Sequence, residues 1–370
     1  MPLSAAVLAY IADSALDWYL NKKSPFHQTI QQKPLISKIE SNAITFPGGS
    51  GNISVAVRGA YGAGGVNDTL KGFTADDTVS FYNPANHDRL LYVWREMHLG
   101  IGLTFTELKH DGITVSNAEN GTGQTNHTKR EETALINMWQ DKLFDLGEQY
   151  ARSLNGLYWG DGTADALGIH GLRHFLVEDP SIGTVGGMNR ATAANAFIRN
   201  RARTAAFGTK VGTTPALSAH GGDAVTSTPA NGGALIQVLQ EEYRQLRRYG
   251  GNPNCFMAGS DFIGAYETEI RANGNYSERG FTGSQDGAMG PILFNGQRIV
   301  YDPTLDDLGL EKRGYWWDDR HIMLAKMDKE WKRTYNPARP HDQFVLHRSI
   351  TNTGQMVAKQ LNSGLVIDIA

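Results

Sequence analysis

Cysteine is almost missing from this sequence: one thiol, Cys255, in 370 residues. A single thiol closes no disulfide within the chain, which excludes a cysteine-stapled secreted scaffold. A surplus of one charge sign is missing too. Thirty-five Lys and Arg stand against 38 Asp and Glu, a formal charge of −3. The chain therefore lacks the basic excess of a dedicated nucleic-acid coat. Long apolar runs are also absent. The most apolar stretch near the start, residues 3–20 (LSAAVLAYIADSALDWYL), has no positive flank and is interrupted by Asp13 and Asp17. That argues against a signal peptide and against a membrane span. It reads instead as an amphipathic helix, with Ser4 as N-cap and Leu3, Val7, Tyr10 or Ile11, and Trp18 on one stripe. With no membrane signal and no cysteine pairs, synthesis inside the cell is the default expectation.

What the chain has in excess is glycine, 42 residues or about 11 % against a usual ~7 %. Hydrophobic residues at 40 % suffice for a packed core, and the length allows two or three domains. The glycines cluster at 48–72, 156–171 and 183–187. Polar residues 21–34 (NKKSPFHQTIQQKP) read as an extended connector ending at Pro34. Ile53, Val55 and Val57 then alternate with small or polar residues, a strand pattern. The Gly-rich GAYGAGGVNDTLKGF (59–73) follows, and Thr78–Tyr82 and Leu90–Trp94 again read as extended. This is the outline of a long β-hairpin, and an isolated two-stranded ribbon needs something to lie on.

Residues 99–107 predict another strand. Thr128-Lys-Arg-Glu131 is a capping box. Behind it Leu135, Met138, Trp139, Leu143, Leu146, Tyr150 and Leu154 recur at helical spacing, predicting a long helix that stops before Asn155-Gly156. Further helices are expected over 192–204, 232–248 and 259–272, with Arg247 and Arg248 complementing the dipole of the second. Strands are expected at 291–300, 321–326, 343–350 and 355–361. There is no regular βαβ alternation and no internal repeat, so the fold class is α+β.

The signatures of chemistry are thin. No phosphate-binding GxxxxGK[ST], no HExxH, no CxxC and no G-x-S-x-G occurs. His170, His174 and Glu178 stand at i, i+4 and i+8, the spacing of metal ligands on one helix face, but Gly168 and Gly171 make this a poor helix. Asp161 and Asp165 could hold a hard cation, yet the further ligands of an EF-hand are absent. A soluble metal-dependent enzyme using Asp161, His170 and His174 is the alternative function on this basis. Cys255, beside Phe256 and Met257, reads as a buried inert thiol. Arg190, Arg199, Arg201, Arg203 and Lys210 form a basic run with no acid between Asp179 and Asp223; such a run either contacts phosphates or, more often, is a solvated face or pairs with acids.

Several strings carry a resemblance in their order and spacing. They are LLYVWREMHLGIGLTFTELKHDGI (90–113), REETALINMWQDKLFDLGEQYARSLNGLYWGDGT (130–163), GTVGGMNRATAANAFIRNRART (183–204) and HRSITNTGQMVAKQLNSGLVI (347–367). Together with the Gly-rich hairpin they resemble the major capsid proteins of tailed double-stranded DNA bacteriophages, with the Hong Kong 97-like capsid fold. The resemblance covers nearly everything from about residue 43.

It implies an N-terminal arm (1–42), an E-loop hairpin (43–96), a peripheral domain with a spine helix (97–172), an axial domain (173–321) and peripheral C-terminal strands (322–370). It implies a non-enzymatic subunit without cofactor or metal, self-assembling into the hexamers and pentamers of an icosahedral head. The implied partners are other copies of the chain, a separate scaffolding protein, a portal protein, a decoration protein in some heads, and packaged double-stranded DNA held non-specifically. No membrane is involved. The implied location is the virion shell, assembled in the bacterial cytoplasm and matured from a procapsid. Lys71 with Asn352 or Asn362 would be the pair for an inter-subunit cross-link of the kind some members form. Gly62, Gly64, Gly65, Gly186 and Gly187 are the expected hinge or flexible points. An encapsulin-type compartment shares the same implied fold.

Overall fold

The computed structural model describes residues 30–47, 51–59, 87–110, 129–204, 234–272, 292–338 and 345–369, with Leu70, 72–78 and Phe81 between the hairpin strands. The chain runs through α1 (Pro34–Ser41), β1 (Ile44–Phe46), the hairpin β2–β3 (Asn52–Arg58 and His87–Val93), β4 (Arg95–Thr104), α2 (Phe105–His110) and α3 (Lys129–Trp159). Next come α4 (Leu172–Phe175), the ribbon β5–β6 (Thr184–Val185 and Met188–Asn189), a 3-10 turn (Ala193–Ile198), β7 (Arg201–Arg203), α5 (Ala234–Arg247), β8 (Cys255–Ala258) and α6 (Ser260–Ala272). The last part holds β9 (Leu293–Phe294), β10 (Gln297–Tyr301), α7 (Pro303–Asp307), β11 (Arg313–Trp317), β12 (Ile322–Met327), β13 (Arg333–Ala338), β14 (Val345–Ala358) and β15 (Leu365–Asp368).

The long helix α3 begins at Lys129, directly after the Thr128 of the capping box, and spans 31 residues, about 46 Å at ~1.5 Å per residue. It does not stop at Asn155-Gly156. The helix carries through both residues because its last turn is held by tertiary bonds: Asn155 donates to Thr304 Oγ1 at 2.6 Å and Trp159 Nε1 donates to the buried carboxylate of Asp302 at 2.8 Å. Leu154, Tyr158 and Trp159 are buried on the same side. The end comes at Gly160. Gly171 lies so close to the carbonyl oxygens of Leu157, Tyr158 and Gly160 that any Cβ would stand within 2.5 Å of each.

Two sheets complete the frame. The first has the order β1-β12-β14-β13, with β4 pairing along β14 from Val345 to Gly354. The two strands expected at 343–350 and 355–361 are thus one strand of 14 residues. Its length lets it serve β4 along one edge and β13 and β12 in turn along the other. The second sheet has the order β7-β15-β11-β8-β10-β9. Its central strands are buried on both faces: Cys255, Met257, Tyr315, Trp317 and Val366 belong to the core under α3, whereas Phe256, Ala258, Trp316, Leu365 and Ile367 belong to the core under α5 and α6. A strand covered on both sides reads as a continuous apolar run without alternation. That is why CFMA and RGYWW gave no strand signal.

Pro34, where the expected connector ends, stands in the first turn of α1, whose Leu35 and Ile39 are buried. The helix expected over 192–204 is a 3-10 turn followed by strand β7, whose Arg201 and Arg203 are drawn to the buried Glu242 of α5. The last strand, β15, pairs with β11 and β7 in the second sheet. No helix among the described residues is long and apolar enough to cross a membrane.

Candidate assembly surfaces

The residues singled out for chemistry are placed so that they hold the fold. Asp161 folds back on its own turn: its carboxylate accepts from Thr163 N at 2.9 Å and from Thr163 Oγ1 at 2.7 Å. His170 and His174 do come together, with ring centroids 4.2 Å apart, but Glu178 is turned away to pair with Arg313. Among the described residues no group of three or more His, Cys, Asp or Glu is placed to hold a metal ion. Burial, the neighbouring His170 and then Arg190 push the His174 imidazole down to about 4. Burial and then Arg95 lower His170. Burial pushes the Cys255 thiol up to about 12, which suits an inert core thiol.

The basic run over 190–203 is not a surface. Arg190 is buried and donates to Asn200 Oδ1 and to the carbonyls of His174 and Phe175. Arg201 and Arg203 both pair with Glu242, which is itself buried. Arg199 donates to the carbonyls of Arg190 and Ala191. Lys210 lies outside the described residues.

Gly186 and Gly187 sit at the turn of the β5–β6 ribbon with φ of 55° and 86°. Two successive positive φ angles are the signature of a type I′ hairpin turn, which glycine adopts without strain. A Cβ on Gly186 would also stand 2.7 Å from Leu90 Cβ, and the Gly186 carbonyl accepts from Leu91 N at 3.0 Å. These two glycines therefore seat the base of the β2–β3 hairpin. Gly62, Gly64, Gly65 and Lys71 lie outside the described residues. Asn352 is buried, its carbonyl oxygen accepting from Lys332 N and its amide donating to Tyr150. Asn362 is half-buried and accepts from Gln360.

The hairpin has two unlike faces. Ile53, Leu90 and Tyr92 face inward and are buried, and the Tyr92 hydroxyl donates to the Ala358 carbonyl at 3.0 Å. On the other face Leu91 and Val93 are half exposed. Between the strands Leu70, Phe73 and Phe81 are 105 %, 71 % and 92 % exposed, so three large apolar side chains have almost no cover from their own subunit. Large apolar side chains left exposed in this way mark a candidate interaction surface. A cleft of about 200 Å³ beside α3 is lined by the apolar Met97, Leu99, Leu154, Leu157 and Ile350 with His98, Tyr150, Ser153 and Asn352.

No family model matches the sequence, and no curated protein does. Solved structures do match. The capsid chain of cyanophage A-1(L) superposes with a TM-score of 0.61 at 15 % identity, over 94 % of this chain and 96 % of its own. The capsid chain of the Myoviridae phage XM1 gives 0.52 at 9 % identity, over 93 % and 94 %. An encapsulin of Synechococcus elongatus gives 0.48 at 12 % identity, over 100 % and 96 %. At these identities what is shared is fold, and this chain has the α+β fold of the two phage capsid subunits.

Proposed function

We propose that this protein is the major capsid protein of a tailed bacteriophage, a subunit that assembles into hexamers and pentamers of an icosahedral head around double-stranded DNA. The observation that carries the reading is the near end-to-end correspondence with the cyanophage A-1(L) capsid chain, over 94 % of one chain and 96 % of the other. A fold alone does not give a function. Here the surface supports it: a projecting hairpin with uncovered apolar side chains, and candidate catalytic residues absorbed into the packing. Many moderate contacts of this kind, closed into a shell, hold through avidity.

In this reading 1–42 is the arm, 43–96 the E-loop, 97–172 and 322–370 the peripheral domain with α3 as its spine, and 173–321 the axial domain, with β15 crossing back into it. A separate scaffolding protein, a portal protein and the packaged DNA are the partners, and the host cytoplasm is where assembly takes place. The test is electron microscopy of the chain expressed with its neighbouring reading frames. Closed shells with a portal-bearing vertex and nuclease-protected DNA are expected. Shells without portal or DNA would make it a compartment, and a small soluble oligomer under all conditions would overturn the shell reading altogether.

A further inference from the structure

The strongest unexplained charge in the described molecule lies at the C-terminal end of α5. Arg244, Arg247 and Arg248 are all exposed, and they stand at i, i+3 and i+4, side by side on one helical face. No acid occurs in the sequence between Glu242 and Asp261. None of the three arginines pairs with a carboxylate among the described residues. Like charges at this spacing destabilise a helix by a few tenths of a kcal/mol each, and the helix dipole asks for a cation here, not for three.

Two of these guanidinium groups are held in place by aromatic rings. Arg247 lies over Tyr243 with its Cζ 5.4 Å from the ring centroid, and Arg248 lies over Tyr249 at 5.5 Å. Tyr243 is no loose platform. It stacks on Trp316 with centroids 5.4 Å apart and planes within 10°, and Trp316 stacks in turn on Phe256 at 5.1 Å and 8°. Trp316 and Phe256 are buried strand residues of the second sheet. The Arg247 fork is therefore the outermost layer of a stack rooted in the core. Tyr249 is itself 63 % exposed. Its carbonyl accepts from Gln360 Nε2 at 3.3 Å.

We infer that Arg244, Arg247 and Arg248, with Tyr249, form a phosphate-binding surface for double-stranded DNA. A guanidinium already fixed on an aromatic face loses little freedom when it clamps a phosphate. The uncompensated positive charge of three adjacent guanidinium groups matches a row of backbone phosphates. The surface contributes a local, sequence-independent contact within a chain whose overall charge is near neutral. The identification of the DNA as packaged genome rests on the shell reading; the binding itself does not.

The test is fluorescence anisotropy of a labelled 40-base-pair duplex with the full-length chain, comparing wild type with the triple variant Arg244→Gln, Arg247→Gln, Arg248→Gln. The control is Arg152→Gln with Arg333→Gln, two exposed arginines that pair with Asp307 and Glu330. Three phosphate contacts predict a roughly 40-fold loss of wild-type affinity between 50 and 200 mM NaCl, from a slope of ~0.9 per contact. The triple variant should lose most of that slope while the control keeps it. Equal binding and equal slope in wild type and triple variant, or no binding by either, would overturn the inference. So would a triple variant that binds DNA normally but no longer assembles, because the arginines would then meet an acidic face of a second copy. Arginine-dependent binding by a chain that forms no shells would leave the surface standing and remove the shell reading.

Discussion

His174 shows how a side chain with catalytic credentials becomes structural. It lies on the short helix α4 beside His170, with Arg190 buried next to it. Two imidazoles and an unneutralised guanidinium can share such a space only if the imidazoles stay neutral. The His174 imidazole is accordingly pushed down to about 4, mainly by burial, from an ordinary 6.5. The unfolded chain binds a proton there below pH ~6.5 and the folded chain only near 4, so this residue's effect on stability is adverse and grows as the pH falls through that window. The expected loss is roughly 2–3 kcal/mol by pH 4. His174→Gln should flatten the urea-midpoint profile between pH 6.5 and 4 relative to wild type, with little change at pH 8; parallel profiles would count against it. Glu242 is the acidic counterpart: buried, it satisfies Arg201 and Arg203 together and so ties β7 to α5.

At the scale of the element, α3 is the test of how far local sequence decides a helix. Its start follows from a capping box, and its middle from apolar spacing. Its last turn does not follow from either, because Asn155 and Gly156 are poor helix formers. That turn is stabilised by what it meets: Thr304 and Asp302 at the first turn of α7. Asp302 is buried and already accepts from Thr304 N through its other oxygen. Trp159→Phe should leave one carboxylate oxygen without its donor and part of the indole's space unfilled, at about 2–3 kcal/mol or more. Urea denaturation should show a lower midpoint with an unchanged slope. A change below about 0.5 kcal/mol would mean that the bond does not hold the helix end.

At the scale of the whole molecule, the hairpin has one face used in folding and a connecting segment open to the proposed assembly. Its inner face, Ile53, Leu90 and Tyr92, is part of the subunit core, and its seat on Gly186 is a backbone contact. The segment between its strands carries the exposed Leu70, Phe73 and Phe81, and none of its described residues is buried in the cores. Arg58 and His87 are cross-strand partners, so an Asn-Gly turn can replace residues 59–86 and close the ribbon. The shortened chain should melt within a few degrees of wild type yet form no closed shells in micrographs. Normal shells from it would show that the segment is dispensable and would move the assembly contacts elsewhere.

The sequence by itself determined the elements that local rules control. The start of α3 at its capping box, the alternation of β2, the α5 and α6 helices and the glycines of the 183–190 turn all follow from spacing and backbone chemistry. The order of four strings also carried the fold resemblance that the solved capsid chains bear out. The tertiary structure alone decided the rest. Strands β8 and β11 lie with both faces covered, which erases the alternation that betrays a strand. The basic run at 190–203 was spent on Glu242 and on backbone carbonyls, while Arg244, Arg247 and Arg248 face water, because which cations face water depends on which element lies across from them. That is a property of packing between residues far apart in the chain, and no local pattern encodes it.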